Sequence, residues 1–343
     1  MASSAITRSS PAPARAEPAA EVVARRLSHA AEALAVADPT ELLGDLLAAT
    51  FSAPATELAY SRNELQPGSL PLECSFSELT PGALRIDLEP FGPGVAPAER
   101  RRRAAEAARR LVARHLGGKA GRAFEAAPVP APSAAARFGA FVGAAFGPSG
   151  LAEVTVYYEL GPRLPRSPSP RVERVARAIG ADVPGLSPHL LAISTTRTGI
   201  RERLYLRCEQ ELRLLGLERP AAVIGAADRF PALVASTLEL TGGAFVVPAR
   251  SAIVGLRESS GGVELKLELL RDALPGGSRE LAGRVRQLLV RRPESLRAFD
   301  RWSEAIGAGP DGPDLGVVSV RLAPALEPLL NVYARLPWLR QTT

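Results

Sequence analysis

Polar and apolar residues alternate one by one in ten short segments of this chain, and the segments come in pairs joined by a turn. The pairs are residues 71–77 with 83–90, 137–146 with 151–160, 188–196 with 201–208, 251–258 with 262–270, and 315–322 with 329–336. A period of two puts successive side chains on opposite faces of an extended strand, so each pair predicts a β-hairpin. Gly-Pro-Ser-Gly at 147–150 and Ser-Ser-Gly-Gly at 259–262 supply the turn residues for two of them. One face of each strand is apolar, as in Leu72, Cys74 and Phe76, or Leu84, Ile86 and Leu88, or Leu204, Leu206 and Cys208.

Those apolar faces need a covering layer, and helical periodicity supplies it. Helices are expected at about 97–116, 169–180, 209–241 and 278–305, with an N-terminal pair over about 18–50. The Pro-rich stretch near 127–136 reads as a flexible connection. The polar faces must then meet either water or one another. Closing ten antiparallel strands removes both edges and leaves a lumen wider than that of an eight-stranded barrel. The expected fold is therefore α+β: a closed ten-stranded antiparallel barrel of five hairpins, surrounded by helices, with a polar interior. An open sheet with solvated polar faces is the alternative, and free edge strands would distinguish it.

The repeat of one unit from residue 70 onward predicts one domain over 18–343 behind a disordered tail at 1–17, which is rich in Ala, Ser, Pro and Arg. The two cysteines, Cys74 and Cys208, fall on apolar strand faces and read as small hydrophobes, which fits a reducing cytoplasm. No stretch is long and apolar enough to cross a membrane. The net charge of +6 raises the question of an anionic partner, but the densest run, Arg100 to Arg103, opens a helix and reads as its solvated face. Aromatic residues make up only 5% of the chain, which argues against nucleic-acid binding. The histidines His29, His115 and His189 are too scattered for a metal site, and the Gly-rich pieces lack the residues of a phosphate loop.

Candidate chemistry lies on the polar faces. Arg201, Arg203 and Arg207 share one strand face, and Arg85, Lys266, Arg321 and Arg335 lie on the corresponding faces of others. Cations crowded into a confined space call for an anion. Unit charges about 4 Å apart at an effective dielectric near 20 interact with roughly 4 kcal/mol, so a diphosphate could hold such a ring together. An interstrand ion network with Asp87, Glu89, Glu159, Glu264 and Glu268 is the competing reading. Three of the five tyrosines, Tyr157, Tyr205 and Tyr333, fall on the same faces. A tyrosine ring can shield a carbocation while its hydroxyl donates to phosphate, although a tyrosine at a barrel mouth can serve packing alone.

The stretch LPLECSFSELTPGALRIDLEP, residues 70–90, resembles the first hairpin of the ABBA-fold aromatic prenyltransferases, in both the indole (dimethylallyltryptophan synthase) branch and the cyanobactin peptide branch. RERLY at 201–205 is similar to the Arg-x-Lys-x-Tyr strand of the indole branch, with Arg203 in place of the lysine. VTVYYEL, residues 154–160, resembles the Lys-x-Tyr strand with Thr155 where lysine is expected. NVYAR at 331–335 resembles the last strand, and VELKLEL at 263–269 the fourth hairpin without its tyrosine. The resemblance implies transfer of a dimethylallyl or longer prenyl group from its diphosphate to an aromatic or peptide side-chain acceptor. It implies Glu73 as the residue that orients the acceptor. Diphosphate would fall to Arg85, Arg201, Arg203 and Lys266, and the shielding of the cation to Tyr157, Tyr205 and Tyr333. It implies no tightly bound cofactor, only the prenyl diphosphate co-substrate, with magnesium left open. A barrel that binds a ligand or peptide without chemistry is the alternative.

Overall fold

The computed structural model describes residues 18–336 apart from 54–56, 93, 165–168, 308, 310 and 325. The tail expected at 1–17 lies outside the described residues. Ten long strands form five hairpins: β1 (Leu72–Ser77) with β2 (Leu84–Leu88), β3 (Ala140–Gly147) with β4 (Gly150–Glu159), and β5 (Leu186–Thr196) with β6 (Gly199–Cys208). After a two-stranded excursion, β7 (Leu212–Arg213) with β8 (Val246–Val247), come β9 (Ala252–Ser259) with β10 (Gly262–Leu270) and β11 (Asp314–Ala323) with β12 (Leu326–Arg335).

The hairpins pair in sequence, and β12 returns to pair antiparallel with β1, opposing Ser75 to Tyr333 and Phe76 to Val332. The barrel is closed, so no edge of the ten-stranded sheet is free, and the open-sheet alternative falls. The alternation decides which face is which. Leu72, Cys74 and Phe76, with Leu204, Leu206 and Cys208, point outward into a continuous buried core shared with the helices. At one such contact the Phe76 ring lies 5.6 Å from Phe299 and 6.1 Å from Trp302 of the helix Pro293–Ala305. Aromatic pairs of this kind contribute about 0.5–1.5 kcal/mol beyond their buried area. Cys74 and Cys208 are buried free thiols, as their places on apolar faces suggest.

The helices depart from expectation where proline intervenes. Residues 278–305 form two helices, Ser278–Leu289 and Pro293–Ala305, because Pro293 cannot continue the first and opens the second. The expected helix at 209–241 is broken into a 3₁₀ turn (Leu214–Leu217), a short helix (Glu218–Val223), a second 3₁₀ turn (Ala227–Arg229) and, with Pro231 in its first turn, the helix Phe230–Thr241. The N-terminal pair is Ala19–Leu34 and Thr40–Thr50. The helix Pro97–Leu111 runs on through a π-turn at Val112–Leu116, beyond which Gly118–Glu125 forms a further helix that the pattern did not suggest. Ser169 caps the helix Pro170–Asp182 by accepting from the Val172 N–H at 3.2 Å.

Candidate active site

Depth in the lumen follows from position along each strand. On β4 the inward residues run Glu159, Tyr157, Thr155, Glu153 from one end of the barrel to the other. On β6 they run Arg207, Tyr205, Arg203, Arg201, and on β12 Arg335, Tyr333, Asn331. Tyr157, Tyr205 and Tyr333 therefore stand at similar depth, with Glu73, Asp87, an apolar surface and the mouth arginines Arg207 and Arg335 on one side and a dense group of cations on the other.

On the mouth side of the tyrosines is a cavity of about 540 Å³, the size of a small-molecule site. Glu73 and Asp87 line it from the neighbouring strands β1 and β2, Phe138, Phe141, Leu190, Ile253 and Leu270 form an apolar surface, and Glu268 is set into that surface on β10 as the cross-strand partner of Ile253. Phe138 and Phe141 stack with ring centroids 4.1 Å apart and planes inclined by 10°, forming with Leu190 and Ile253 an apolar cluster separate from the outer core. The roof is held by two carboxylates at the strand ends. Glu89 accepts from the Glu64 and Leu65 N–H groups at 2.5 and 3.0 Å and pairs with Arg100 at 2.9 Å. Glu159 accepts from the Arg137, Phe138 and Gly139 N–H groups at 2.8–2.9 Å, which fixes the Phe138 ring over the cavity. His189 also lines the mouth; burial and the nearby Arg207 push its pKa down to about 4.

Glu73 and Asp87 are directly opposed across β1 and β2 and are only 6% and 7% exposed. Burial first, and each other's charge with it, raises the Glu73 pKa well above the carboxylate range. Burial pushes Asp87 up to about 6, opposed by Arg85 and by a hydrogen bond from the Tyr157 hydroxyl. Gly143 faces Asp87 across β2 and β3, and a Cβ there would collide with the Asp87 carboxylate and lie 3.2 Å from the Tyr157 ring. Gly255 does the same for Tyr205, whose ring would be 3.2 Å from an added Cβ. Burial also raises the Tyr157, Tyr205 and Tyr333 hydroxyls, so all three keep their protons as donors.

On the far side of the tyrosines six cations meet Glu153 and Glu264, and Glu268 reaches one of them, Lys266, from the cavity wall. Glu153 bridges Arg85 and Arg201 with 2.8 Å contacts to each. Glu264 bridges Arg257, at 2.6 Å, and Arg321. Lys266, 1% exposed, pairs with Glu268 at 2.5 Å and donates to the Tyr333 hydroxyl. Among the described residues Arg203 alone of the six has no carboxylate partner; its side chain bonds to the Tyr205 hydroxyl. Arg321 is 5% exposed, and its Nε and Nη1 donors have no partner. Burial and the charge of Arg203 push Arg257 down to about 10, although Glu264 opposes them. Three positive charges remain uncompensated here, an arrangement that attracts an anion.

Comparison of the whole fold settles the architecture. The chain superposes with a TM-score of 0.71 on 6-dimethylallyltryptophan synthase from Micromonospora olivasterospora in complex with DMASPP and Trp, at 21% identity over 93% of this chain and 98% of that one. The fold is the ABBA prenyltransferase barrel. The 5-dimethylallyltryptophan synthase of Streptomyces coelicolor, also in complex with DMASPP and Trp, matches with a TM-score of 0.70 at 18% identity, covering 96% of this chain and 98% of that one. AnaPT from Neosartorya fischeri matches with a TM-score of 0.56 at 13% identity over 78% of each chain. No model of a protein family and no curated protein sequence matches this chain.

This ABBA barrel sorts the sequence-derived candidates into two groups. Glu73, Tyr157, Tyr205 and Tyr333 all line the cavity. Arg85, Arg203 and Lys266 lie below them on the lumen side, and Arg201 stands half exposed at the far end. The ion-network reading holds for Glu264 and Glu268 but not for Glu89 and Glu159, which hold loops. Thr155 donates to or accepts from Ser194 at 2.8 Å, so no cation takes the place of the lysine expected there. Glu153 and Arg257 were missed, although extending the period of two along β4 and β9 reaches both. Gln66 lies on a loop, where no periodicity marks it, and Phe138 falls in the segment expected at 137–146 but precedes the strand, which begins at Ala140.

Proposed function

We propose that this chain is a prenyltransferase that moves a dimethylallyl or longer prenyl group from its diphosphate to an aromatic acceptor, either a small molecule or a side chain of a peptide. The observation that carries the reading is the tyrosine layer, with excess positive charge on one side and an aromatic-lined cavity containing Glu73 on the other. Fold-level likeness to prenyltransferases raises the prior for it.

In this reading Arg203, Arg321 and Lys266, with Arg85 and Arg201, take up the charge that develops on diphosphate as its bond to the allylic carbon breaks. The rings of Tyr157, Tyr205 and Tyr333 shelter the allyl cation from water and stabilise it by their quadrupoles. The acceptor ring lies against Phe138 and Phe141, and Glu73 accepts a hydrogen bond from its N–H or O–H. A new bond forms from the acceptor to the allyl carbon, and the displaced proton passes to carboxylate.

The test is incubation with dimethylallyl diphosphate and a panel of indoles, phenols, tryptophan and tyrosine- or tryptophan-containing peptides, read by mass spectrometry. A prenylated product that is lost in Glu73→Gln supports the reading. Diphosphate binding without product from any acceptor favours a second one, a ligand-binding barrel without chemistry. The existing Arg–Glu bridges through Glu153 and Glu264 favour that second reading, because they satisfy part of the cation layer with no ligand.

A further inference from the structure

Asp87 has no part in the steps above, yet it is buried beside the residue that faces the acceptor. Glu73 and Asp87 are cross-strand partners on β1 and β2, which places their Cβ atoms about 4.5–5.5 Å apart. Both line the cavity. Among the described residues neither forms an ion pair. Arg85 is the neighbouring inward residue on β2, two positions from Asp87, but its guanidinium is turned to Glu153 at 2.8 Å. Arg335 opposes Glu73 across β12, but Gln66 stands between them. Two carboxylates so close, buried and without their own cations, do not both ionise near neutrality.

We propose that Glu73 and Asp87 hold one proton between them and work as a single acid–base unit, in which Glu73 meets the acceptor and Asp87 keeps the pair monoanionic. The proposal rests on the prenyl-transfer reading for its role, though not for its existence. During turnover the arenium carbon of the acceptor releases its proton, and the C–H electron pair returns to the ring. The proton goes to the unprotonated oxygen of the pair, which becomes neutral. It leaves to water through the cavity mouth as product departs.

The surroundings of both groups bear on the titration. Glu73 faces Asp87, Gln66, Glu268, Lys266 and Tyr333, with Arg335 beyond the glutamine, and Tyr333 also faces Asp87. Asp87 faces Glu73, Arg85, Tyr157, Lys266 and Glu153. Burial and mutual repulsion disfavour a second negative charge on the pair, while Lys266 and Arg85 favour the first.

The experiment is an infrared pH titration of the protonated carboxyl stretch in the unliganded full chain, compared among wild type, Asp87→Asn and Glu73→Gln, so it needs no substrate. In the wild type a carboxyl signal assignable to the pair persists at pH 7. In each variant the remaining partner loses its proton at least one pH unit lower. Asp87→Ser repeats the test if the Asn variant misfolds. A wild-type pair fully ionised at pH 7, or a titration of either group that ignores loss of the other, overturns the proposal. If product is found, the acid limb of kcat moves down by a similar amount in Asp87→Asn, with KM for the diphosphate unchanged. A drop in kcat with no movement of that limb also overturns it. Absence of product with any acceptor would remove the prenyl-transfer reading and leave the infrared result standing.

Discussion

Glu73 and Arg335 are directly opposed across the seam that closes the barrel, yet they do not pair. Gln66, from the loop before β1, donates its amide to Glu73 and accepts from Arg335 Nε at 3.1 Å. An amide in place of a guanidinium leaves Glu73 hydrogen-bonded but not neutralised, so its charge state stays responsive to Asp87. Gln66→Leu would remove the bridge and leave both groups short of a partner. A loss of about 1–3 kcal/mol in urea unfolding is expected, the usual penalty for unsatisfied buried polar atoms. An unchanged midpoint would mean that the two groups re-pair directly.

The Tyr205 ring and hydroxyl can be separated. Arg203 Cζ and Lys266 Nζ each lie 6.0 Å from the ring centroid, and the hydroxyl bonds to Arg203. Tyr205→Phe keeps the quadrupole and loses the hydroxyl, whereas Tyr205→Leu loses both. If the ring shields a cation, Leu should lower kcat at least about tenfold more than Phe, in line with about 0.5–2 kcal/mol or more for a desolvated cation–π contact. Equal losses in the two variants would assign the effect to the hydroxyl alone.

Gly143 leaves the space that Asp87 and Tyr157 occupy. Gly143→Ala forces its Cβ against the Asp87 carboxylate and should cost about 1–3 kcal/mol, as overpacking of a filled interior does. Thermal unfolding reads this. The Ala variant of Gly147, where an added Cβ meets nothing within 4 Å, serves as a control and should behave like wild type.

How stability varies with pH follows from Asp87. Its pKa rises from an ordinary 3.8 to about 6 on folding, chiefly through burial, so between those values the folded state binds more protons than the unfolded one. The contribution of this group is complete below about pH 4 and is lost as pH rises through about 6. Asp87→Asn should therefore stabilise the protein at pH 7 relative to wild type and make little difference at pH 4. Urea midpoints at the two pH values check this, and the same difference at both would contradict it.

Much of the architecture was legible because a strand buried on one face announces itself by alternation. The ten strands lie within about three residues of the places the pattern gives, and Cys74 and Tyr157 point to the sides it assigns. The helices were less legible, since a run such as 278–305 keeps its apolar period across the break at Pro293. Within the site, a period of two reports which face a residue occupies and nothing about its partner. It put Arg85 and Lys266 inside but could not show that Glu153 and Glu268 hold them. Gln66 reaches the cavity from an irregular segment fixed by Asn63 and Glu89, and that dependence on other side chains leaves no local trace; Phe138 sits in the alternating segment at 137–146, but its backbone is held by Glu159 ahead of the strand.

The central claim is that the cation layer beneath the tyrosines binds a prenyl diphosphate. Its most direct test is calorimetric titration of the full chain with the non-ionisable analogue dimethylallyl thiolodiphosphate, beside inorganic diphosphate, Arg203→Ala and an Arg137→Ala control at the mouth. Micromolar binding is expected, weakened about 30-fold or more in Arg203→Ala, as when a buried charged partner worth about 2–5 kcal/mol is removed, and unchanged in the control. No heat at millimolar ligand, or equal binding by wild type and Arg203→Ala, would contradict the account.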